Sequence, residues 1–392
     1  MTPRPPKAPA APAGADVLDS IEAFLRRFVA YPSEHARVAH TVWIAHTHLA
    51  RCFDNSPRLA FLSPEPGSGK SRALEVTEPL VPDAVLTVNA TVSYLFRRLS
   101  VEDEVPLPTL LFDEVDSIFT NRPSESTEEI RGLLNSGYRK GAVVGRASVR
   151  GKEVVTEEWS SFAPVAMAGL NSLPDTLMTR SIVIAMRRRS PSEQIEPYRR
   201  RATEADAAIL RADLERWALS ARPLVEGVWP ELPLTIVDRN ADVWEPLIAI
   251  ADAAGGEWPT RLRAAAVAMV DEQSHRPATL GIRLLADLRA VFDAEGEEAL
   301  RTTVILDALV SMETAPWASI KGTPIDSRFI ARQLSKYGVP TNNTIRFGSL
   351  GTAKGYARHH LADAWERYLP AEPETDEAPP PASTLFDEDE PF

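Results

Sequence analysis

Two short segments of this 392-residue chain constrain its fold more than any other part. The first, residues 63–71, reads Ser-Pro-Glu-Pro-Gly-Ser-Gly-Lys-Ser and lies between a short apolar run and the start of a helical pattern. The second, residues 110–114, is an apolar run that ends in Asp-Glu. A glycine-rich turn between a strand and a helix directs backbone N–H groups at phosphate, and an acidic strand end suits the ligand-binding edge of a parallel sheet. Together the segments predict an α/β fold with a parallel sheet and a nucleoside triphosphate site.

The glycine-rich loop supplies the residue types that hold a polyphosphate. The residues expected to contact the nucleotide are Pro66, Gly67, Ser68, Gly69, Lys70 and Ser71. Lys70 would reach the β- and γ-phosphates, and the hydroxyl of Ser71 would bind Mg²⁺. The usual pattern, G-x-x-x-x-G-K-[ST], has glycine where this chain has Pro64, so the chain must enter the loop by another backbone geometry.

The Asp-Glu pair supplies the second half of a hydrolytic site. Asp113 is expected to bind Mg²⁺, and Glu114 is expected to polarise the attacking water. Lys70 and Glu114 are therefore candidate catalytic residues for ATP hydrolysis. A short Gly-Lys-Ser match can also arise by chance, and an Asp-Glu pair can be a solvated turn after a buried strand.

Composition and charge limit the possible classes of protein. The 44% apolar content supports a large core, and the single cysteine, Cys52, excludes an internal disulfide and favours a reducing, cytoplasmic setting. The sequence has neither a membrane-length apolar run nor a secretion signal. A net charge of -12 discourages nucleic acid binding, but eight acids and no base lie in residues 371–392, so the remainder is closer to neutral.

The pattern along the chain predicts five segments. They are a disordered, Pro/Ala-rich start (1–15), a P-loop ATPase core (16–190), a helical lid (191–299), a winged-helix-like segment (300–370) and a disordered acidic tail (371–392). Order should begin near Asp16, a plausible N-cap for the first helix. Two β-rich runs flank Arg150-Gly151-Lys152, which predicts a hairpin with two bases at its tip.

Further motifs resemble a known family. They are Trp43 to His48, the glycine-rich loop, Phe-Asp-Glu-Val-Asp at 112–116, residues 168–177, Arg180 to Ile182, Asp238-Arg239, residues 244–247 and Lys354 to Tyr356. This set resembles a phage and mobile-element family of P-loop ATPases of unknown function, whose members often carry or accompany primase modules. The likeness covers roughly residues 35–370, and Pro64 agrees with the family's Ser-Pro start of the loop. The resemblance implies a ring-forming, homo-oligomeric ATPase of the AAA+, RecA-like and helicase kind.

The resemblance also implies roles for three residues outside the two motifs. Asn171 occupies the place of a polar residue that senses the γ-phosphate, and Arg180 the place of an arginine that reaches a neighbouring subunit's nucleotide. Arg239, at the head of a lid helix, could be a second nucleotide sensor. A capping asparagine and surface ion-paired arginines are the alternative interpretations.

Nucleic acid contacts are expected at two places. Helicases of this class often project a basic hairpin into the pore of the ring, so the resemblance implies that Arg150 and Lys152 follow single-stranded or forked DNA. An exposed β-turn is the alternative. The closing segment contributes Lys336, Arg346, Lys354 and Arg358, which suit either duplex phosphates or contacts with the chain's own lid.

The acidic tail and a group of histidines are less specific signals. The tail ends in Pro391-Phe392 and resembles the tip by which bacterial single-stranded-DNA-binding proteins recruit replication enzymes, which implies replication proteins as partners. An ordinary acidic tail is the alternative. Four histidines, His35, His40, His46 and His48, lie close in sequence, but their spacing does not match a metal site.

Three hypotheses for the function follow. The first is a DNA-dependent helicase or translocase, driven by ATP and Mg²⁺, in phage or mobile-element DNA replication in the host cytoplasm. The second is a helicase loader or initiator that remodels a protein on DNA. The third is a nucleotide-gated scaffold without turnover.

Overall fold

The computed structural model describes residues 12–87, 91–102, 105–119, 125–150, 153–170, 173–274, 280–312, 314–320, 322–341, 344–348 and 351–369. The chain divides into two compact units, Met1–Ser274 and His275–Phe392. Each unit has its own hydrophobic core.

The first unit alternates helices and strands. Its helices are α1 (Gly14–Phe28), α2 (Glu34–Leu49), α3 (Lys70–Thr77), α4 (Val92–Leu99), α5 (Glu125–Ser136), α6 (Asp175–Met178), α7 (Arg200–Val225), α8 (Asp238–Ala254) and α9 (Trp258–Ser274). Its strands are β1 (Arg58–Leu62), β2 (Val85–Thr87), β3 (Leu110–Phe112), β4 (Val143–Arg150), β5 (Glu153–Ser160), β6 (Val165–Gly169) and β7 (Ser181–Ala185). Among the described residues, five of these strands form a parallel sheet in the order β2-β3-β6-β1-β7. The predicted parallel α/β core is confirmed, and it is consistent with a P-loop NTPase-like fold.

Strand alternation explains why helices cover both faces of this sheet. Leu59 and Phe61 of β1 pack into a core with α1, α2, α7, α8 and α9, whereas Ala60 and Leu62 pack on the other face with α4 and α5. Successive side chains of a strand point to opposite faces, so a strand that is apolar throughout needs cover on both sides.

Helices α7 to α9 share their core with α1 and α2. The expected boundary between residues 190 and 191 therefore does not separate two hydrophobic cores, and the role of residues 191–299 as a lid stays a prediction. Helix α9 lies within residues 191–299, the segment that was expected to be helical. Alanines and charged residues are spread around all its sides, so its apolar periodicity is weak, although Trp258 and Leu262 are fully buried.

The start of α1 differs from the expectation. The helix begins at Gly14, and Asp16 lies in its first turn rather than at the N-cap. Gly14 packs so closely on the Trp217 indole and the backbone of Ala254 that no larger side chain would fit. Contact with α7 and α8 therefore stabilises the first turn of α1, which the local sequence does not predict.

The expected hairpin is confirmed in the backbone. β4 and β5 pair antiparallel from Val143↔Ser160 to Arg150↔Glu153. The side chain of Arg150 and the whole of Gly151 and Lys152 lie outside the described residues.

The second unit is smaller. Its elements are α10 (Leu280–Glu295), β8 (Ala299–Arg301), α11 (Thr302–Val310), α12 (Ser327–Leu334), β9 (Thr344–Arg346), β10 (Thr352–Ala357) and α13 (Arg358–Tyr368). Its strands form an antiparallel sheet in the order β8-β10-β9. Helix α12 continues into a short helical turn, Ser335–Tyr337, that ends at Gly338, whose φ of 75° lies in the left-handed region. The local sequence signal for β8 and β10 is weak, because β8 has three residues and β10 contains Gly355, where the carbonyl of Leu300 leaves no room for a side chain.

Within the described ranges, no helix combines the length and the apolar character needed to cross a bilayer.

Candidate functional site

The glycine-rich loop joins β1 to α3 at the carboxyl edge of the sheet. Gly67 and Gly69 take left-handed conformations, φ 73° and 86°, which side-chain-bearing residues rarely adopt. The ammonium group of Lys70 lies inside the curve of the loop. Its Nζ donates to the carbonyl oxygen of Glu65 at 2.9 Å and to Oγ of Ser68 at 3.0 Å. The loop therefore holds its cation against its own backbone.

Lys70 is 9% exposed. Burial lowers the pKa of its ammonium group, and the carboxylates of Asp116, Asp113 and Glu65 oppose that shift. The cation is thus held near three acids at the position where a polyphosphate would bring further negative charge.

The two sequence motifs meet at one hydrogen bond. Oγ of Ser71, in the first turn of α3, donates to Oδ1 of Asp113 over 3.1 Å, and the same oxygen accepts from the backbone N–H of Glu114 at 3.0 Å. Two oxygen-bearing side chains that were expected to share a magnesium ion are therefore neighbours.

Glu114 has an uncommon backbone conformation. Its φ of 54° and ψ of 44° place it in the left-handed region, which costs a residue with a side chain on the order of 1–3 kcal/mol. Strain of this kind clusters at functional sites, where it sets the direction of a side chain.

These residues line a cleft of about 470 Å³. The cleft is bounded by Pro66, Gly67, Lys70, Ser71, Asp113, Glu114, Asp116, Ser117, Ala168, Gly169 and Leu170. Because β6 lies between β1 and β3, the carboxyl ends of three adjacent strands meet here.

Asp116 is a residue of this cleft to which the sequence reasoning gave no role. Its Oδ2 accepts a hydrogen bond from the backbone N–H of Leu170 at 2.5 Å, and it is one of the carboxylates near Lys70. Gly169 packs against Val115 and Asp116 without room for a Cβ. Asp116 therefore fixes the end of β6 beside the glycine-rich loop. The sequence signal that could have identified Asp116 is its place as the last residue of the Phe-Asp-Glu-Val-Asp motif.

Asn171 lies outside the described residues. It follows Leu170, which lines the cleft, directly in the chain. Its role as a γ-phosphate sensor stays a prediction.

A second cleft, of about 450 Å³, lies on the other side of the glycine-rich loop, and sequence reasoning missed it. Its lining consists of Phe28, Ala30, Gly67, Ser68, Gly69, Arg72, Arg189, Ile195, Glu196, Pro197 and Tyr198. The ring of Tyr198 meets that of Phe28 edge-on at 5.2 Å, and the guanidinium of Arg72 lies 5.3 Å from the Tyr198 centroid. Gly67 borders both clefts, so they are joined at the loop.

The wall of the second cleft is anchored at both ends. Nε of Arg188 donates to the carbonyl oxygen of Pro66 at 3.1 Å, and Nη1 of Arg72 donates to that of Tyr198 at 3.1 Å. Between them, Glu196 forms an ion pair with Arg27 at 3.1 Å. Residues 187–198 therefore run from the end of β7 across the loop to α7.

Arg180 and Arg239 lie at the opposite edge of the sheet from the loop. Arg180 precedes β7, and its Nη1 donates to the carbonyl oxygen of Thr176 at 3.0 Å. Its guanidinium lies 5.7 Å from the ring of Tyr138. Burial raises the pKa of Tyr138, while the charges of Arg58, Arg180 and Arg239 lower it. Neither Arg180 nor Arg239 lines either of these two clefts, and contact with a neighbouring subunit stays a prediction.

Three of the four histidines are hydrogen-bonded, and His40 and His46 are buried whereas His48 is half-buried. His40 lies between the hydroxyls of Tyr31 (2.6 Å) and Thr77 (2.8 Å), His46 contacts Ser56, and Nε2 of His48 donates to the carbonyl oxygen of Leu80. Burial lowers the pKa of His40 and of His46 to about 3 and that of His48 to about 4. In the part of the chain that the structure describes, no cluster of histidine, cysteine and acidic side chains is suited to hold a metal ion.

Two solved structures resemble the chain at low similarity. The apo A form of the NrS-1 C-terminal region is 11% identical, with a TM-score of 0.40, over 91% of this chain and 79% of that one. SCCmec type IV Cch, titled an active helicase, is 11% identical, with a TM-score of 0.38, over 92% of this chain and 75% of that one. Neither likeness is close enough to carry an argument about this protein.

Sequence relatives are closer. An uncharacterized 28.9 kDa protein in the xis 5' region of Saccharopolyspora erythraea is 40% identical over 189 residues, which make up 48% of this chain and 70% of that protein. The family described as protein of unknown function, DUF3631, matches residues 185–368. The chain therefore belongs to the DUF3631 family and is a relative of the Saccharopolyspora protein.

Proposed function

We propose that the protein is a DNA-dependent, oligomeric ATPase that acts as a helicase or translocase in the replication of phage or mobile-element DNA. The observation that carries the ATPase part is the hydrogen bond between Ser71 and Asp113, in the same cleft as Lys70 and Glu114. A chance Gly-Lys-Ser match and an unrelated acidic turn would have no reason to meet across the sheet edge.

The side chains of this cleft fit a magnesium ion with a nucleotide. Mg²⁺ prefers oxygen ligands and is held by one or two protein groups together with phosphate oxygens. The hydroxyl of Ser71 and the carboxylate of Asp113 are such groups and lie 3.1 Å apart. When bound, the ion would neutralise charge on the β- and γ-phosphates.

The other residues of the cleft would position the reactants. Lys70 would exchange its hydrogen bonds to Glu65 and Ser68 for phosphate oxygens, which accept more strongly because they are charged. Glu114 would orient a water and accept its proton. Asn171, which comes two residues after β6 in the chain, would sense the γ-phosphate.

The second cleft would receive the nucleoside. Its aromatic and apolar side chains suit a flat heterocycle, and Arg72 and Arg189 suit stacking or ribose contacts. Since the two clefts are joined at Gly67, a triphosphate could cross the loop with its base on one side and its γ-phosphate on the other.

Oligomerisation would complete the site. Arg180 lies at the amino edge of the sheet, away from the loop of its own chain, so it can serve as an arginine finger only for a neighbouring copy. Arg239, near the same edge, would act from the same side.

The DNA-dependent part of the proposal rests on three features. The β4–β5 hairpin would present Arg150 and Lys152 to single-stranded or forked DNA, and their replacement by alanine should remove DNA stimulation but leave basal turnover unchanged. The element order α10, β8, α11, α12, β9, β10, with strands paired β8-β10-β9, supports a winged-helix second unit. The acidic tail at 371–392 would recruit replication proteins.

Steady-state phosphate release with Mg²⁺ and ATP, with and without single-stranded DNA, tests the proposal, and a forked duplex then tests unwinding. We expect turnover that rises with DNA and disappears in Lys70→Ala. Turnover without unwinding would favour a loader or initiator. ATP binding without any turnover would instead leave a nucleotide-gated scaffold.

A further inference from the structure

The second unit carries a stripe of cations on one helix. Arg328, Arg332 and Lys336 follow one another at four-residue spacing along α12 and the short turn that extends it, and all three are exposed. Side chains at this spacing lie on one face about 6 Å apart along the axis. The opposite face carries Ile330 and Leu334, which are fully buried. We refer to Arg328, Arg332 and Lys336 as the α12 stripe.

The α12 stripe is not neutralised within the described part of the chain. None of the ion pairs between described residues includes any of its three members. Arg332 lies 5.6 Å from the ring of Phe329, and Nζ of Lys336 donates to Oε1 of Gln333 at 2.9 Å, so both contacts leave the charges uncompensated.

Other cations of the same unit are paired. Arg358, which the sequence had suggested for duplex phosphates, is bound to Asp293 at 2.8 Å and also donates to the carbonyl oxygen of Phe292 at 2.6 Å. Arg367 is paired with Asp363 at 2.7 Å. Arg358 is therefore a structural clamp between α13 and α10, a helix of the segment expected as a lid, and this contact is the second of the two roles that the sequence left open for it. The three members of the stripe differ from these arginines because none of them is ion-paired with another described residue.

The β9–β10 hairpin adds two more cations of this kind. Arg346 pairs with Thr352 and Lys354 pairs with Thr344, so the side chains of Arg346 and Lys354 lie on one face of the hairpin, and both are exposed. Neither takes part in an ion pair between described residues.

We propose that the α12 stripe binds the phosphate backbone of a duplex nucleic acid, with Arg346 and Lys354 as additional phosphate contacts. A helix with its side chains is about 10–12 Å wide, which matches the major groove of about 12 Å. Phe329 is the aromatic residue of α12, and its ring lies under Arg332 and against Trp317. These contacts occupy the ring, so the bases of a single strand cannot stack on it. Contacts of this kind position a protein on DNA without reading the sequence.

The charge distribution makes local cations important for binding. Eight of the acids behind the net charge of -12 lie in residues 371–392, so the remainder is closer to neutral and attracts a polyanion where cations are uncompensated. Each phosphate contact releases counterions and adds roughly 0.9 to the slope of log affinity against log salt. The inference rests on the DNA-dependent part of the proposed function, because it names the kind of nucleic acid that the second unit binds, and it does not depend on ATP hydrolysis.

Fluorescence anisotropy of the full-length protein tests the proposal, with one labelled duplex and one labelled single strand of the same sequence, over a series of KCl concentrations. We expect the triple variant Arg328→Ala, Arg332→Ala, Lys336→Ala to bind the duplex about 10- to 100-fold more weakly at ~0.1 M salt and to lower the salt slope by about 2 to 3. Arg346→Ala with Lys354→Ala should lower the slope by a further 1 to 2, roughly one per contact.

A matched control removes the same charge elsewhere. Arg211, Arg222 and Arg367 are exposed helical arginines that are ion-paired with Glu215, Glu226 and Asp363. Their triple replacement by alanine should leave duplex affinity within about twofold. The charge of each arginine is already compensated by the carboxylate beside it, so it adds little net attraction for phosphate. Arg328→Lys with Arg332→Lys should keep most of the affinity, since the charge is kept.

Three outcomes would overturn the proposal. They are parental duplex affinity in the stripe variant, an equal loss in the control variant, and a loss confined to the single strand. Lys70→Ala separates this inference from the ATPase proposal, because it should lose turnover and keep duplex binding. Thermal unfolding of each variant confirms that it is folded.

Discussion

Oγ of Ser71 donates a hydrogen bond to Oδ1 of Asp113 over 3.1 Å, although 42 residues separate them in the chain. The contact joins α3, the helix that follows β1 and the glycine-rich loop, to the end of β3. Strand β6 lies between β1 and β3 in the sheet. It is the structural reason to treat the two motifs as one site.

Loss of the Ser71 hydroxyl should weaken magnesium binding. Ser71→Ala removes one of the two proposed oxygen ligands, so the Mg²⁺ concentration for half-maximal ATP turnover should rise about 10- to 100-fold. Ser71→Thr keeps the hydroxyl and is the control. The measurement is ATP turnover across a Mg²⁺ titration, and equal Mg²⁺ dependence in all three proteins would contradict the metal assignment.

Replacement of Glu114 should separate binding from hydrolysis. Glu114→Gln keeps the size of the side chain and the left-handed backbone but removes the base, so ATP should bind normally while turnover falls about 10²- to 10⁴-fold. Equilibrium binding of ATP and single-turnover hydrolysis report the two steps. Glu128→Gln, on the helix α5, is the control and should behave like the parent. Parental hydrolysis in Glu114→Gln would reject this carboxylate as the base.

The position of Arg180 predicts dependence on a second copy. Arg180→Ala should bind ATP like the parent and turn over about 10³-fold more slowly, because an arginine finger stabilises transition-state charge. Mixing it with Glu114→Gln should restore part of the activity if each site is built from two chains, since a mixed interface can combine an intact arginine with an intact glutamate. A parent that is fully active as a monomer would exclude this arrangement.

The second cleft should distinguish a nucleotide from a bare polyphosphate. Ile195→Ala with Tyr198→Ala removes apolar and aromatic contacts, so ATP affinity should fall about tenfold, in line with ~1–3 kcal/mol per lost stacking contact. Inorganic tripolyphosphate, which has no base, should compete at the glycine-rich loop as well as before. Tyr198→Phe keeps the ring and is the control. If both ligands weaken equally, the cleft supports the loop and does not hold the base.

Three histidines with lowered pKa values predict acid sensitivity. Burial holds the pKa of His40 and His46 at about 3 and of His48 at about 4, whereas an unfolded histidine titrates near 6.5. The unfolded chain therefore binds more protons below about pH 6.5, and the free energy of unfolding falls as the pH drops toward about 4. The slope should be up to about 1.4 kcal/mol per pH unit for each histidine, and stability should level off above about pH 6.5.

Urea unfolding at several pH values measures this slope. His46→Gln should lower the slope by up to about 1.4 kcal/mol per pH unit, the contribution of one proton, whatever its effect on stability at neutral pH. The exposed His359, replaced in the same way, serves as the control. An unchanged slope in His46→Gln would show that His46 does not carry the effect.

Local sequence determined the elements that stand next to each other in the chain. The strand, glycine-rich loop and helix around Lys70, and the apolar strand that ends at Asp113, are set by residue types within a few positions, because backbone conformation and side-chain alternation are local properties. The parallel sheet followed from that alternation of strands and helices.

Tertiary structure alone decided which distant groups share a surface. The second cleft brings Phe28 and Ala30 to residues 195–198, and Asp116 to the N–H of Leu170, through contacts that no local pattern encodes. The cations of the second unit show the same limit. Arg358 and Arg328 are equally basic in the sequence, but among the described residues Arg358 forms an ion pair and Arg328 does not. Whether a charge is free to meet a ligand depends on its long-range neighbours, and these exist only once the chain has folded.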